Sequence, residues 1–216
     1  GKDTITVADV FAHRAGLSAP RDDLTLDQVL DRRRLAEYLA AQEPLWTPGT
    51  AHAYHAITFG TLAQELVRRI TGRELEDVFD QEVAQPLAAD VSLKAGPAML
   101  SRLSYLTTTP EWQDAVSAGT PADDEWIARS LTLGGALPRP LVAGGEGFND
   151  PRVIAAGVAG AGGVGTASAL ARIWSATVTR TNGSRLVDSS TVASLTRERS
   201  QGPWHFDPGP PYGRFA

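Results

Sequence analysis

The chain has 216 residues, 42% hydrophobic and 21% charged, which is enough apolar material for one substantial core and too much for a disordered segment. Its formal charge of −5 argues against nucleic acid or an anionic membrane surface as partner, since both call for a basic face. The absence of cysteine excludes disulfides, thiolate chemistry and Cys-ligated zinc. No apolar run approaches the ~18 residues of a membrane span, and no signal peptide opens the chain. The compartment therefore stays open, with the cytoplasm favoured.

In chain order, Thr4 to Ala12 predicts a short helix capped by Thr6, with Val7, Val10 and Phe11 at helical spacing and Gly16 ending the turn that follows. Leu26 to Ala41 gives one or two amphipathic helices, and Arg32, Arg33 and Arg34 within it form a solvated basic face. Ile57 to Ile70 predicts a helix with Leu62, Leu66, Val67 and Ile70 on one stripe and Gly72 placed to end it. A further helix is expected from Leu75 to Ala84, with Pro86 beyond its end. Prolines 97, 110, 121, 138 and 140 punctuate a loop-rich stretch from 91 to 156, in which Trp112 and Trp126 anchor loops or short helices.

Gly160-Ala161-Gly162-Gly163-Val164-Gly165 matches Gly-x-Gly-x-x-Gly and precedes a helical pattern from Ala167 to Thr181. A dinucleotide site would need a parallel βαβ unit around it and an acidic residue such as Asp188. The plainer reading is a glycine turn capped by Thr166 that lets the chain pass closely under a neighbour, with Leu170, Ile173, Trp174 and Val178 as the buried stripe of the helix. His52 and His55 stand at i, i+3 and on a helix could face one metal ion, with Asp22-Asp23 or Asp123-Asp124 as further donors; no third ligand lies near in sequence. His13 is expected to make a buried hydrogen bond that fixes the Ala15-Gly16 turn, and His205 lies in a Pro/Gly-rich tail.

The most informative segment runs from Trp46 to Gly60. There Pro48-Gly49 makes a tight corner ahead of a helix and holds Tyr54 at a defined point, where a phenol can act as acid or base. This Trp-x-Pro-Gly-x-x-x-x-Tyr stretch, with its helix ending at Thr71-Gly72, resembles the tyrosine segment of the serine β-lactamase, penicillin-binding protein and family VIII esterase group. Residues 4 to 17, Ile-Thr-Val through His13 to Gly16-Leu17, are similar to a second segment of that group. Residues 59 to 87, ending in Gln85-Pro86-Leu87, are similar to a third. Residues 157 to 174 are similar to its Ala-Gly-Gly block.

The resemblance implies an α+β fold of the β-lactamase/DD-peptidase type, an antiparallel sheet flanked by helices plus a helical subdomain, of which this chain supplies mostly the helical part. It implies one incomplete domain over 1–216: a helical region with the tyrosine motif (1–90), a variable loop-rich region (91–156), and a Gly-rich turn, helix and C-terminal segment (157–216). The group's Ser-x-x-Lys has no counterpart here, because neither Lys2 nor Lys94 follows a serine by three. Gly16-Leu17-Ser18-Ala19-Pro20 comes closest to Gly-x-Ser-x-Gly and ends in proline, and the group's Lys-Thr-Gly element is also missing. The expectation is thus an internal portion of a serine hydrolase that is marginal or prone to associate by itself.

The implied chemistry is acyl transfer to a serine from an ester or amide of small size, with Tyr54 relaying the proton, an oxyanion hole of backbone N–H groups and no cofactor. His55 and Ala56 occupy the two positions after the tyrosine that relatives use toward substrate. Penicillin-recognising members carry asparagine where Ala56 stands, so an esterase is expected rather than a β-lactamase. The alternatives are a nucleophile-free ligand-binding relative and, on residues 160 to 165 alone, a nicotinamide-dependent oxidoreductase.

Overall fold

The computed structural model describes residues 1–118, 125–142, 144–201 and 204–206. Helices dominate. Helix α1 (Val7–Phe11) opens with a reciprocal capping box in which the Thr6 hydroxyl accepts from the Asp9 N–H while Asp9 accepts from Thr6. The second predicted helical stretch is two helices, α2 (Leu26–Leu30) and α3 (Arg32–Ala41), because Asp31 leaves helical geometry and caps the second by accepting from Arg34 N–H. α4 (Thr58–Thr71) ends where Gly72 turns left-handed at φ 71°, a conformation that costs glycine nothing. α5 (Leu75–Phe79) continues into one π turn at Asp80–Ala84.

The loop-rich stretch carries β1 (Val91–Ser92) and the short helices α6 (Pro97–Leu100), α7 (Pro110–Ala118), α8 (Glu125–Thr132) and α9 (Pro151–Ala156). β2 (Val164–Gly165), α10 (Ala167–Val178) and α11 (Ser189–Leu195) follow. β2 pairs antiparallel with β1, Val91 opposite Gly165 and Ser92 opposite Val164.

The main core gathers Val29, Leu35, Leu39, Ile57, Leu133, Leu137, Val153 and Val158 from α2, α3, α9 and the segments around α4 and α8. A second cluster, Val10, Ala15 and Leu17 with Leu62 and Leu66 of α4, seats α1 on α4. Across the gap between α3 and α5, Arg32 pairs with Glu76 at 2.8 Å and Arg33 with Glu74 at 2.5 Å. The arginine run is therefore a cross-element ion-pair network as well as a solvated face.

Two expectations need correction. Ile70 is 75% exposed, and the buried residues of α4 are Thr58, Gly60, Thr61 and Gln64. The Gln64 amide donates to the Gly157 carbonyl at 3.1 Å, which makes burial of that polar face tolerable. On α10 the inward residues are Ala169 and Ala176, with Ile173 half-buried against Ala84, Val91 and Phe79, while Leu170, Trp174 and Val178 stand in solvent. Both faces of that helix are apolar, so spacing alone could not choose between them.

The glycine run makes the close approach that its plainer reading expects, with Thr166 capping the helix after it. Gly160 is pressed against α4: a Cβ on Gly60 would lie 1.9 Å from Gly160 N, and one on Gly160 would lie 2.4 Å from the Ile57 carbonyl. The close approach is to backbone. The strand beside it is antiparallel and Arg185-Leu186-Val187 forms no strand, so the βαβ unit a dinucleotide fingerprint needs is not built. Asp188 caps α11, accepting from Thr191 N–H at 2.7 Å, and that bond holds its carboxyl down to about pKa 2. The oxidoreductase reading loses its only support.

Candidate active site

Tyr54 sits on an extended strap between the Pro48-Gly49 corner and α4, and the strap is fastened on both sides. Gly16, at φ 73°, turns so tightly beneath it that a Cβ would come within 2.7 Å of the Trp46 carbonyl. The same glycine's carbonyl accepts from Leu45 N–H at 2.7 Å. Gly49 N–H donates to Arg14 O, Ala53 N–H to His13 O, and the Trp46 indole to Ala51 O. From the other side, the Ser130 hydroxyl of α8 donates to Tyr54 O at 3.1 Å and accepts from Ala56 N–H at 3.4 Å.

Two buried imidazoles back the tyrosine. The His55 N–H donates to His13 Nδ1 at 3.1 Å, Leu17 N–H donates to His55 Nε2 at 3.2 Å, and His55 Nδ1 meets Ala53 O at 2.7 Å. Because Nε2 accepts from a backbone N–H, Nδ1 carries the proton and donates, which defines a neutral tautomer. Burial drives His55 down to about pKa 3, against the opposing pull of the Ala53 carbonyl. Burial, and then the charge of His52, lowers His13 to about 4. His13 lies 5.2 Å from the Tyr54 ring, centroid to centroid, and His55 lies 5.5 Å from His13.

His55 is thus fully buried with both ring nitrogens engaged, so the substrate contact expected of it is not made by its side chain. It stiffens the floor instead, as His13 does together with the Gly16 turn. His52 and His55 lie on extended chain rather than a helix, which removes the basis for pairing them on a metal. Among the described residues no group of three His, Asp or Glu converges as a metal site; Asp123 and Asp124 lie outside them. His205 donates its backbone N–H to His52 O at 2.8 Å and lies over Trp46.

The Tyr54 ring itself is 43% exposed and borders a nearly apolar cavity of about 160 Å³. Ala56 lines the same cavity and offers no amide there. Trp126, Trp204, Phe206 and Ser18 complete most of the wall. Ser130 also lines it; Ser130, Trp204 and Phe206 were not singled out from the sequence, and Ser18 was met there only as the centre of an incomplete Gly-x-Ser-x-Gly. Their signals were weak: the motif around Ser18 ends in Pro20, and Ser130 is an unremarkable polar residue on an amphipathic helix. A larger cavity, about 550 Å³, lies beside the β1–β2 ladder under the Asp90–Arg102 ion pair, and none of its lining residues is shared with the tyrosine cavity. The smaller one is bordered by a half-exposed phenol whose backbone is held on both sides.

This helix-rich chain with a small antiparallel sheet matches known proteins along its length. The sequence model of the Beta-lactamase family matches residues 1–213, and the chain belongs to that family. It is 35% identical over 211 residues to the Esterase/beta-lactamase LipL of Mycobacterium tuberculosis (strain ATCC 25618 / H37Rv), covering 93% of this chain and 47% of that protein. Among solved structures it is similar to EstA from Arthrobacter nitroguajacolicus Rue61a, with TM-score 0.81, 31% identity, and coverage of 100% of this chain and 56% of the other. It is also similar to a family VIII carboxylesterase, with TM-score 0.80, 28% identity, and coverage of 100% and 55%. The fold is that of the β-lactamase/DD-peptidase group, and the chain spans about half the length of these relatives. Among the described residues no helix is long and apolar enough to cross a membrane.

Proposed function

We propose that the chain forms the tyrosine side of a serine-hydrolase site that cleaves a small ester by acyl-enzyme chemistry, with Tyr54 as the proton-transferring group. One observation carries the reading: the Tyr54 phenol stands half-exposed at the mouth of a cavity while its backbone is clamped by Ser130 and backed by neutral His13 and His55. A proton relay needs that combination, since the ring must reach substrate and must not wander. In this reading the nucleophilic serine and its lysine come from outside residues 1–216. Tyr54 takes or passes the serine proton during attack, and later returns it to the leaving alkoxide.

An ester is favoured over a β-lactam by Ala56, whose methyl group cannot hold a side-chain carbonyl as an amide would. The similarity to proteins named esterase and carboxylesterase supports the same choice. The test is hydrolysis of p-nitrophenyl acetate by the protein as encoded, compared with its Tyr54→Phe variant. The variant should lose at least ~100-fold in kcat with little change in KM. Unchanged kcat excludes the role given to Tyr54. Absence of turnover in the unaltered protein favours the nucleophile-free relative instead.

A further inference from the structure

Ser18 stands on the wall of the tyrosine cavity, 1% exposed, and its Oγ has no hydrogen-bond partner among the described residues. Buried hydroxyls are nearly always paired, because leaving one unpaired forfeits its hydration with nothing in return. The adjoining main-chain groups are already engaged. The Ser18 carbonyl is tied to the Thr58 hydroxyl at 3.3 Å, and the neighbouring Leu17 N–H is tied to His55. Ser130, on the same wall, already uses its hydroxyl on the Tyr54 carbonyl and the Ala56 N–H.

The other walls are aromatic and arranged in two stacked pairs. Tyr54 and Trp204 lie 6.2 Å apart at 27°, and Trp126 and Phe206 lie 6.1 Å apart at 26°. The guanidinium groups of Arg21 and Arg129 lie 5.9 and 5.8 Å from the centroid of the Trp126 ring, holding that wall in place. Size decides what fits. Apolar cavities of about 150 Å³ accept a benzene ring, and this one measures about 160 Å³. Planar, electron-rich walls favour an aryl ring over a branched alkyl group of equal volume.

We propose that this cavity receives a single aryl ring of the substrate, bearing one small polar substituent that hydrogen-bonds to Ser18 Oγ. The word substrate rests on the hydrolase reading, whereas the pocket rests on its own geometry. Ser18, Trp126 and Trp204 are accordingly specificity-determining rather than catalytic residues. The described lining residues are all uncharged, so a neutral ring is favoured over one carrying a charged group.

Binding is measured without turnover, using anisole and ethylbenzene as probes. They match in size and differ by an ether oxygen in place of a methylene. The indole N–H resonances in two-dimensional NMR report occupancy next to Trp126 and Trp204. After correction for the difference in hydrophobicity, anisole should bind about threefold to tenfold better than ethylbenzene, and Ser18→Ala should abolish that preference. Should the alanine variant fail to fold, Ser18→Cys keeps the volume with a weaker donor, and the preference should fall with it. Trp204→Ala should weaken both probes while leaving their ratio. A ratio unaltered by either Ser18 substitution, or no binding of either probe, overturns the pocket. Turnover of p-nitrophenyl acetate is scored separately: probe binding without turnover retires the hydrolase reading and leaves the pocket, while turnover without probe binding does the reverse.

Discussion

Behind the Tyr54 strap the packing is polar: His13, His55, Thr58 and Ser130 are all buried. At α10 the surface is apolar: Leu170, Trp174 and Val178 are between 48% and 72% exposed, and alanines face inward. Residue type predicts the opposite arrangement. What separates the two regions is how closely backbones approach. The strap carrying Tyr54 lies so near its neighbours that backbone groups must be satisfied locally, and short polar side chains do that work. α10 sits on its neighbours through Ala169 and Ala176, where small size sets the distance and the large side chains are left pointing away.

The sharpest way to break this contrast is to put a methyl group where backbones touch. Gly60→Ala would place its Cβ 1.9 Å from Gly160 N and should cost at least ~3 kcal/mol, read from urea unfolding at neutral pH. Folding at near-normal stability would mean that the two segments can separate. Acid is the next lever, because it acts on the buried imidazoles and leaves α10 untouched. Both histidines have folded-state values below the usual 6.5, so the unfolded chain takes up protons that the folded chain refuses. Stability should therefore be intact above pH 6.5 and decline as pH falls, toward about 4 for His13 and about 3 for His55. Each should contribute a loss on the order of 2 kcal/mol between pH 7.5 and 5, measured as the shift in urea midpoint. A flat profile over that interval would mean that the pair is not buried neutral.

Smaller effects sharpen the comparison. Gly72→Ala has open space around its Cβ but a φ of 71°, so it should cost about 1 kcal/mol from conformation alone. The gap between that value and the Gly60 value isolates the close approach. At the other end, Trp174→Ala should change the stability of this chain by less than about 0.5 kcal/mol despite removing its largest exposed aromatic on α10, because that ring is 72% exposed. A loss of several kcal/mol would show that the α10 face is covered.

Much of the frame was legible in the sequence. Thr6, Thr166 and Gly72 cap where their side chains or lack of one require, and the Pro48-Gly49 corner does deliver Tyr54 ahead of α4. Capping and turn chemistry are local, so a few residues settle them. The facing of α4 and α10 was not legible, since it depends on which distant segment each helix meets, and Gly60 meeting Gly160 spans 100 positions. The candidate site divides the same way. Tyr54 is announced by its own neighbours, whereas Ser18, Ser130 and Trp204 reach it from three separate segments. His55 was misplaced because adjacency to the tyrosine in sequence puts its side chain on the opposite side of an extended strap.

The contact between Gly60 and Gly160 also bears on precision. Where side chains separate two segments, a change elsewhere can be absorbed by a new rotamer, and the spacing drifts. Here the separation is set by the radii of main-chain atoms, which have no alternatives to adopt. α4 begins four residues after Tyr54, so the glycine contact fixes the place of the helix into which the Tyr54 strap runs.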